Sequence, residues 1–170
     1  MVVWIRGDGL HKEARRWAAE HVRRLEERYG ITPKLAVLLL NDDPVELETQ
    51  KRYVSLKAKD VREVGGEVEV YELYKEPPEI REAVALKLIE RLNNADDVTG
   101  IIIQKPLPPY INEAKLFERL NPMKDVDGLT PENKNASWRA STSTETYCPA
   151  RPPASWSCLG NTALTCGGPT

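Results

Sequence analysis

Cysteine is missing from the first 134 residues of this 170-residue chain, and serine occurs there only once, at Ser55. The three cysteines all stand later, at Cys148, Cys158 and Cys166, spaced ten and eight apart with no nearby histidine. That spacing matches neither a zinc site nor the disulfide framework of a secreted domain, so no metal site is expected. A run approaching the roughly 20 apolar residues of a membrane span is missing too. The N-terminus, "MVVWIRGDGLHKEARR", lacks the long apolar stretch and small-residue cleavage site of a signal peptide. The default expectation is a soluble, cytoplasmic protein. Nor is there a surplus of one charge: 24 basic and 26 acidic residues are intermixed, for a formal net charge of -2. That balance gives no electrostatic reason to expect nucleic acid or an anionic membrane as a partner.

What is present is periodic as far as about Lys134. Leu10, Ala14, Trp17, Ala18, His21, Val22 and Leu25 recur at helical spacing with Lys and Arg between them, which predicts an amphipathic helix from Leu10 to Tyr29 with that set as its apolar face. "KLAVLLL", Lys34 to Leu40, is short and nearly continuously apolar, as suits a strand covered on both faces, and "NDDP" ends it. A second helix is expected from about Val45 to Val64. After Gly65 and Gly66, "EVEVYEL" alternates as a strand. "EPPEIREAVALKLIERLNN" then opens a helix with proline near its first turn, and "VTGIIIQ" reads as another buried strand. The length allows one domain with a proper core. Strand, helix, strand, helix, strand predicts an α/β fold: a mostly parallel sheet flanked by helices, each crossover right-handed.

In such sheets ligands bind outside the carboxyl ends of the strands, which directs attention to "NDDP" and "QKPLPPY". The prolines of the second stretch are equally compatible with a stiff loop that ends a strand, since proline brings no N–H to the ladder. Tyr53 and Lys57 are four apart, so a helix puts both on one face, where a ring and an amine can meet the same ligand or simply face solvent. Asp125 and Asp127 of "KDVDG" stand in a segment that by itself reads as an Asp-Gly turn.

Taken together, "YVSLKAK" (Tyr53 to Lys59), "GIIIQKPLP" (Gly100 to Pro108) and "PMKDVDGLTPEN" (Pro122 to Asn133) resemble, in order and spacing, the bifunctional methylenetetrahydrofolate dehydrogenase/methenyltetrahydrofolate cyclohydrolase family. The resemblance covers residues 34–134 well and the first helix loosely. It implies a folate-binding catalytic domain over residues 1–134, then a Rossmann-type domain for NADP or NAD, tetrahydrofolate one-carbon derivatives as substrates, and a homodimer for the intact enzyme. It makes Lys57 the catalytic lysine, with Tyr53 packing against the folate's aminobenzoate. Gln104 would hydrogen-bond and position the lysine without adding charge. Asp127 would accept hydrogen bonds from the pterin's amino and ring N–H groups, a pairing of one carboxylate with two parallel donors. Pro106, Leu107 and Pro108 would form the wall beside the pterin, Asp125 would shape its loop, and Lys51 and Lys59 would remain surface charges. A lysine partly shielded from water suits the proton transfer that water attack on a methenyl cation requires.

Two departures from the family pattern stand out. Eight residues, "VELETQKR", separate "DDP" from Tyr53 where the pattern is shorter and carries a serine, which alters the start of the catalytic helix. Lys105 replaces an apolar residue and either adds a cation beside the site or points away from it.

Composition then breaks abruptly. Residues 135–170 hold five Ser, six Thr and only three charged residues, Arg139, Glu145 and Arg151, with no Val, Ile, Met or Phe. Such a stretch buries too little apolar surface to offset chain entropy, so a disordered or poorly packed tail is expected. Read from codons displaced by one base, it permits "LPCTPAG" over Tyr147 to Ala154 and "ELLGEYGVNVRGPN" over Trp156 to Thr170, which looks like the family's own continuation. The tail is therefore expected to be out of frame through a frameshift. The chain holds no G-x-G-x-x-G or comparable glycine loop opening a helix, so cofactor-binding residues are expected to be absent and the truncated chain inactive as a dehydrogenase. The alternative is a non-catalytic folate-binding or interaction module on the same fold.

Overall fold

The computed structural model of the protein describes residues 8–135. Cys148, Cys158 and Cys166, and the expectation of a disordered tail, lie outside the described residues. The elements are α1 (Asp8–Tyr29), β1 (Lys34–Leu39), α2 (Pro44–Glu63), β2 (Glu67–Glu72), α3 (Pro78–Asn93), β3 (Gly100–Ile103) and α4 (Glu113–Arg119). The strands form one sheet in the order β2-β1-β3, with β1 parallel to both neighbours. Each crossover carries a helix, as a parallel sheet requires. The α/β expectation is met, and the element bounds fall within a few residues of those read from periodicity.

Alternation along β1 divides the interior. Ala36, Leu38 and Leu40 join Ile101 and Ile103 of β3 under Ala85, Leu88, Ile89 and Leu92 of α3 and Leu116 and Phe117 of α4. Val37, Leu39 and Ile102 face the opposite way, against Val54 of α2. Both faces of β1 and β3 are therefore covered, which explains their unbroken apolar runs. Asp43 caps α2, its Oδ1 accepting from the N–H groups of Val45 and Glu46 at 3.0 Å each. At the far end Gly65, at φ +92° and pressed against Val22, turns the chain back toward β2.

Two features differ from the sequence reading. Trp17, assigned to the apolar face of α1, is 62% exposed and stacks on His21 with ring centroids 4.0 Å apart. Of the rest of the set, Ala18, His21, Val22 and Leu25 are half-buried, and nearby Arg15 pairs with Asp60 and Glu63 on the last turns of α2. The short helix α4 was not anticipated, because seven residues are too few for periodicity to register. Its signal was local: Asn112 accepts from the N–H of Lys115 at 3.2 Å as N-cap, with Glu113 in the first turn.

Candidate functional site

Three segments converge at the carboxyl ends of β1 and β3: the 41–43 turn, the face of α2, and the loop that begins at Gln104. The backbone N–H of Gln104 still bonds the Leu38 carbonyl at 3.0 Å, so the residue is held at the very end of the sheet, and its side chain is buried. Lys57 reaches across from α2, its Nζ donating to Gln104 Oε1 at 3.2 Å. The other end of the amide, Nε2, donates to the carbonyl of Lys105 at 3.0 Å, which fixes which end of the amide meets the lysine. The acceptor is a neutral amide, so no opposite charge stands against the lysine at this contact. Tyr53, one turn before Lys57 on the same helix, is 57% exposed with its ring presented to solvent.

The loop beyond Gln104 has a cis Lys105–Pro106 peptide and is pinned from two sides. The Pro106 carbonyl accepts from Gln50 Nε2 at 2.7 Å and from Asn41 Nδ2 at 3.0 Å. Pro108 is buried, Leu107 half-buried and Pro106 exposed, so the three form a graded edge beside Gln104. Lys105 points away from Lys57, pairing with Glu113 of α4 at 2.6 Å, which resolves the second departure noted above.

Asp125 and Asp127 separate cleanly. Residues 124–126 run beside β3, with a parallel bridge between Ile101 and Asp125. Asp125 Oδ2 accepts from the N–H of Thr130 at 2.8 Å and from Asn133 Nδ2 at 3.0 Å, tying down the turn at Gly128. Asp127 is exposed on the far side of that bridge, toward the β3 end that carries Gln104. Thus a hydrogen bond joins Lys57 to Gln104, while Tyr53 and Asp127 are exposed, one a turn earlier on α2 and the other just past the bridge to β3. Burial alone would push the Asp125 carboxyl up, but the hydrogen bonds from Thr130 and Asn133 outweigh it and hold it below its ordinary value of 3.8. A depressed carboxylate contributes stability above its unfolded pKa and loses it as pH falls through the lower folded value. Asp125→Asn is therefore expected to lower stability at neutral pH and to flatten the loss on acidification below about pH 4. Denaturant titrations at several pH values would show parallel curves for the two proteins if this is wrong.

A further group of residues came to light only in three dimensions. Arg81 of α3 is 2% exposed and reaches five partners. It pairs with Asp42 Oδ2 at 2.9 Å, donates to the carbonyls of Leu40, Tyr74 and Glu76, and bonds the hydroxyl of Tyr110. Tyr110 in turn donates to Asp42 Oδ1 at 3.1 Å. Burial would raise the Asp42 carboxyl, yet Arg81 and Tyr110 together hold it low. The ends of β1, β2 and β3 are cross-braced behind the site. The available signal was Arg81's place on the apolar stripe with Ala85, Leu88, Ile89 and Leu92.

Known proteins share this architecture. The family model for the tetrahydrofolate dehydrogenase/cyclohydrolase catalytic domain matches residues 5–127. "Bifunctional protein FolD" of Pyrobaculum neutrophilum is 81% identical over 134 residues, 79% of this chain and 43% of that protein. The same-named protein of a Bacillus cereus strain is 36% identical over 168 residues, 99% of this chain and 55% of its own length. Among solved structures, the bifunctional FolD methylenetetrahydrofolate dehydrogenase/cyclohydrolase of Campylobacter jejuni superposes with TM-score 0.67 at 34% identity, covering 76% of this chain and 43% of that one. The Trypanosoma brucei dehydrogenase-cyclohydrolase, solved with NADP cofactor and an inhibitor, gives TM-score 0.69 at 28% identity over 79% and 43%. This chain spans less than half the length of the Pyrobaculum relative. A domain model over most of the chain, a relative sharing four residues in five over the matched stretch, and solved enzymes with the same sheet and helices lead to one assignment: the chain belongs to the tetrahydrofolate dehydrogenase/cyclohydrolase family.

Proposed function

We propose that this chain is the folate-binding catalytic part of a methylenetetrahydrofolate dehydrogenase/methenyltetrahydrofolate cyclohydrolase of one-carbon metabolism. The observation that carries the reading is the amine of Lys57 held by the neutral amide of Gln104 at the open end of the sheet. In hydrolysis, water adds to the methenyl carbon and one C–N bond then opens. One water proton is released to solvent and the other ends on the departing nitrogen, and Lys57 is the group placed to carry it. Tyr53 supports the aminobenzoate ring, Pro106, Leu107 and Pro108 wall the pterin, and Asp127 accepts its paired N–H donors. We place the protein in the cytoplasm and the intact enzyme in a homodimer.

The dehydrogenase step needs NADP or NAD as hydride acceptor. Its phosphates do not fit the described turns: the approach to α2 presents Asp42 and Asp43, α3 opens at Pro77-Pro78, and α4 follows a proline-rich loop. Pyrophosphate binding calls for free backbone N–H groups at a glycine-rich helix start, without carboxylates. We therefore assign the cofactor to a second domain of the intact protein. We also infer that residues 135–170 are read out of frame. The compositional break at Lys134 and an 81% identity that runs for 134 residues support this, while the Bacillus cereus match over 168 residues weighs against it. Resequencing near codon 134 decides it: an intact frame in genomic DNA would end the inference.

Calorimetric titration of the 170-residue chain with tetrahydrofolate, alongside absorbance assays of methenyltetrahydrofolate hydrolysis and NADP reduction, tests the function. Saturable folate binding without NADP reduction is expected. NADPH formation by this chain would overturn the cofactor's placement, and absence of folate binding would overturn the functional reading altogether. Binding without hydrolysis would favour a non-catalytic folate-binding module.

A further inference from the structure

Gln50 lies on α2 seven residues before Lys57, two helical turns back on the same face. It is 1% exposed, in the segment where the chain departs from the family pattern. Its Nε2 holds the Pro106 carbonyl, which it shares with Asn41. Its Oε1 is buried and has no hydrogen-bond partner among the described residues. A side chain kept only to stabilise the fold is normally satisfied at both ends, because a buried acceptor left unpaired costs about 1–3 kcal/mol. Here one end is committed to the loop and the other is left open.

We propose that Gln50 is a positioning residue for the site: together with Asn41 it holds the Pro106 carbonyl and thereby sets how Gln104, two residues earlier, meets Lys57. The chain of contacts is continuous. The Gln104 side chain is anchored through the Lys105 carbonyl, Lys105 is bonded to Pro106, and the Pro106 carbonyl is held by the same helix that carries Lys57. Helix and loop are thus locked together at Gln50, and the Lys57–Gln104 contact is made within that lock. This rests on the function proposed above for its link to folate, but its geometric part does not.

The test is Gln50→Met in the 170-residue chain, since methionine keeps the shape and removes both polar ends. Three quantities are read: the thermal midpoint, the side-chain amide signal of Gln104 in a nitrogen–proton NMR spectrum, and affinity for tetrahydrofolate. A positioning role predicts an unchanged or raised midpoint, a moved Gln104 signal, and affinity reduced by about tenfold. A lowered midpoint with the Gln104 signal and folate affinity unmoved would make Gln50 structural and overturn the proposal. If the unaltered chain fails to bind tetrahydrofolate, the functional reading falls, and the Gln104 signal alone decides the positioning: moved supports it, unmoved overturns it. Should Gln50→Met not fold, Asn41→Ala removes the other donor to the same carbonyl; since Asn41 Oδ1 also accepts from the Asp43 N–H, a lowered midpoint is expected there, and the Gln104 signal alone decides, moved supporting the positioning and unmoved overturning it.

Discussion

Replacing Arg81 with methionine is expected to lower the unfolding free energy by about 2–4 kcal/mol, because buried acceptors left without a donor cost about 1–3 kcal/mol each before relaxation. The loss arises from what remains behind. The carbonyls of Leu40, Tyr74 and Glu76 and the carboxylate of Asp42 would each lose a donor. Asp42 is partly exposed and can turn to water, which limits its share, but Leu40 is fully buried and its carbonyl has no such recourse. Arg81→Lys should recover little, because a single ammonium cannot span five acceptors arranged around a planar fork. Denaturant titration checks both variants, and a loss under about 1 kcal/mol for Arg81→Met would mean the network contributes little net stability.

The largest effect on activity is expected at Lys57. In the protein carrying the proposed cofactor domain, Lys57→Met should reduce methenyltetrahydrofolate hydrolysis by about a thousandfold, within the range that a positioned acid–base group supplies. Tetrahydrofolate affinity should stay within about tenfold, since the amine acts on a proton in transit more than on the bound ground state. The geometry supports that division: among the described residues the hydrogen bond of Lys57 Nζ goes to Gln104, while the surfaces proposed to hold folate belong to Tyr53, Asp127 and the proline edge. Equal losses of binding and turnover would recast the lysine as a ligand contact.

Much of this was legible in the sequence because each signal was local or periodic. The apolar runs of β1 and β3 announced strands buried on both faces, and the four-residue spacing of Tyr53 and Lys57 announced a shared helix face. Trp17 was misassigned because periodicity identifies an apolar set without saying what covers each member, and near it the contact with α2 is an ion pair through Arg15. Asn41, Gln50 and Tyr110 could not be found from pattern, and Arg81 only as a charge standing on the apolar stripe of its helix. Their partners are backbone carbonyls or side chains as much as 68 positions away, and composition carries no trace of such pairings. The direction of Lys105 was undecidable for the same reason, since its partner Glu113 lies on a helix too short to be foreseen.

The unequal sealing of the sheet's two faces has a dynamic consequence. Fifteen buried residues bind the α3 side together, whereas four hold the α2 side, only one of them, Val54, from the helix itself. Local opening costs least where the fewest apolar contacts must be broken. The α2 side should therefore open locally at lower cost than the α3 side, once the hydrogen bonds of Gln50 and Lys57 to the 104–106 loop are broken with it. The helix carrying Tyr53 and Lys57, held by few apolar side chains and by the hydrogen bonds of Gln50 and Lys57, can shift at lower cost than α3 to admit a ligand and then close upon it.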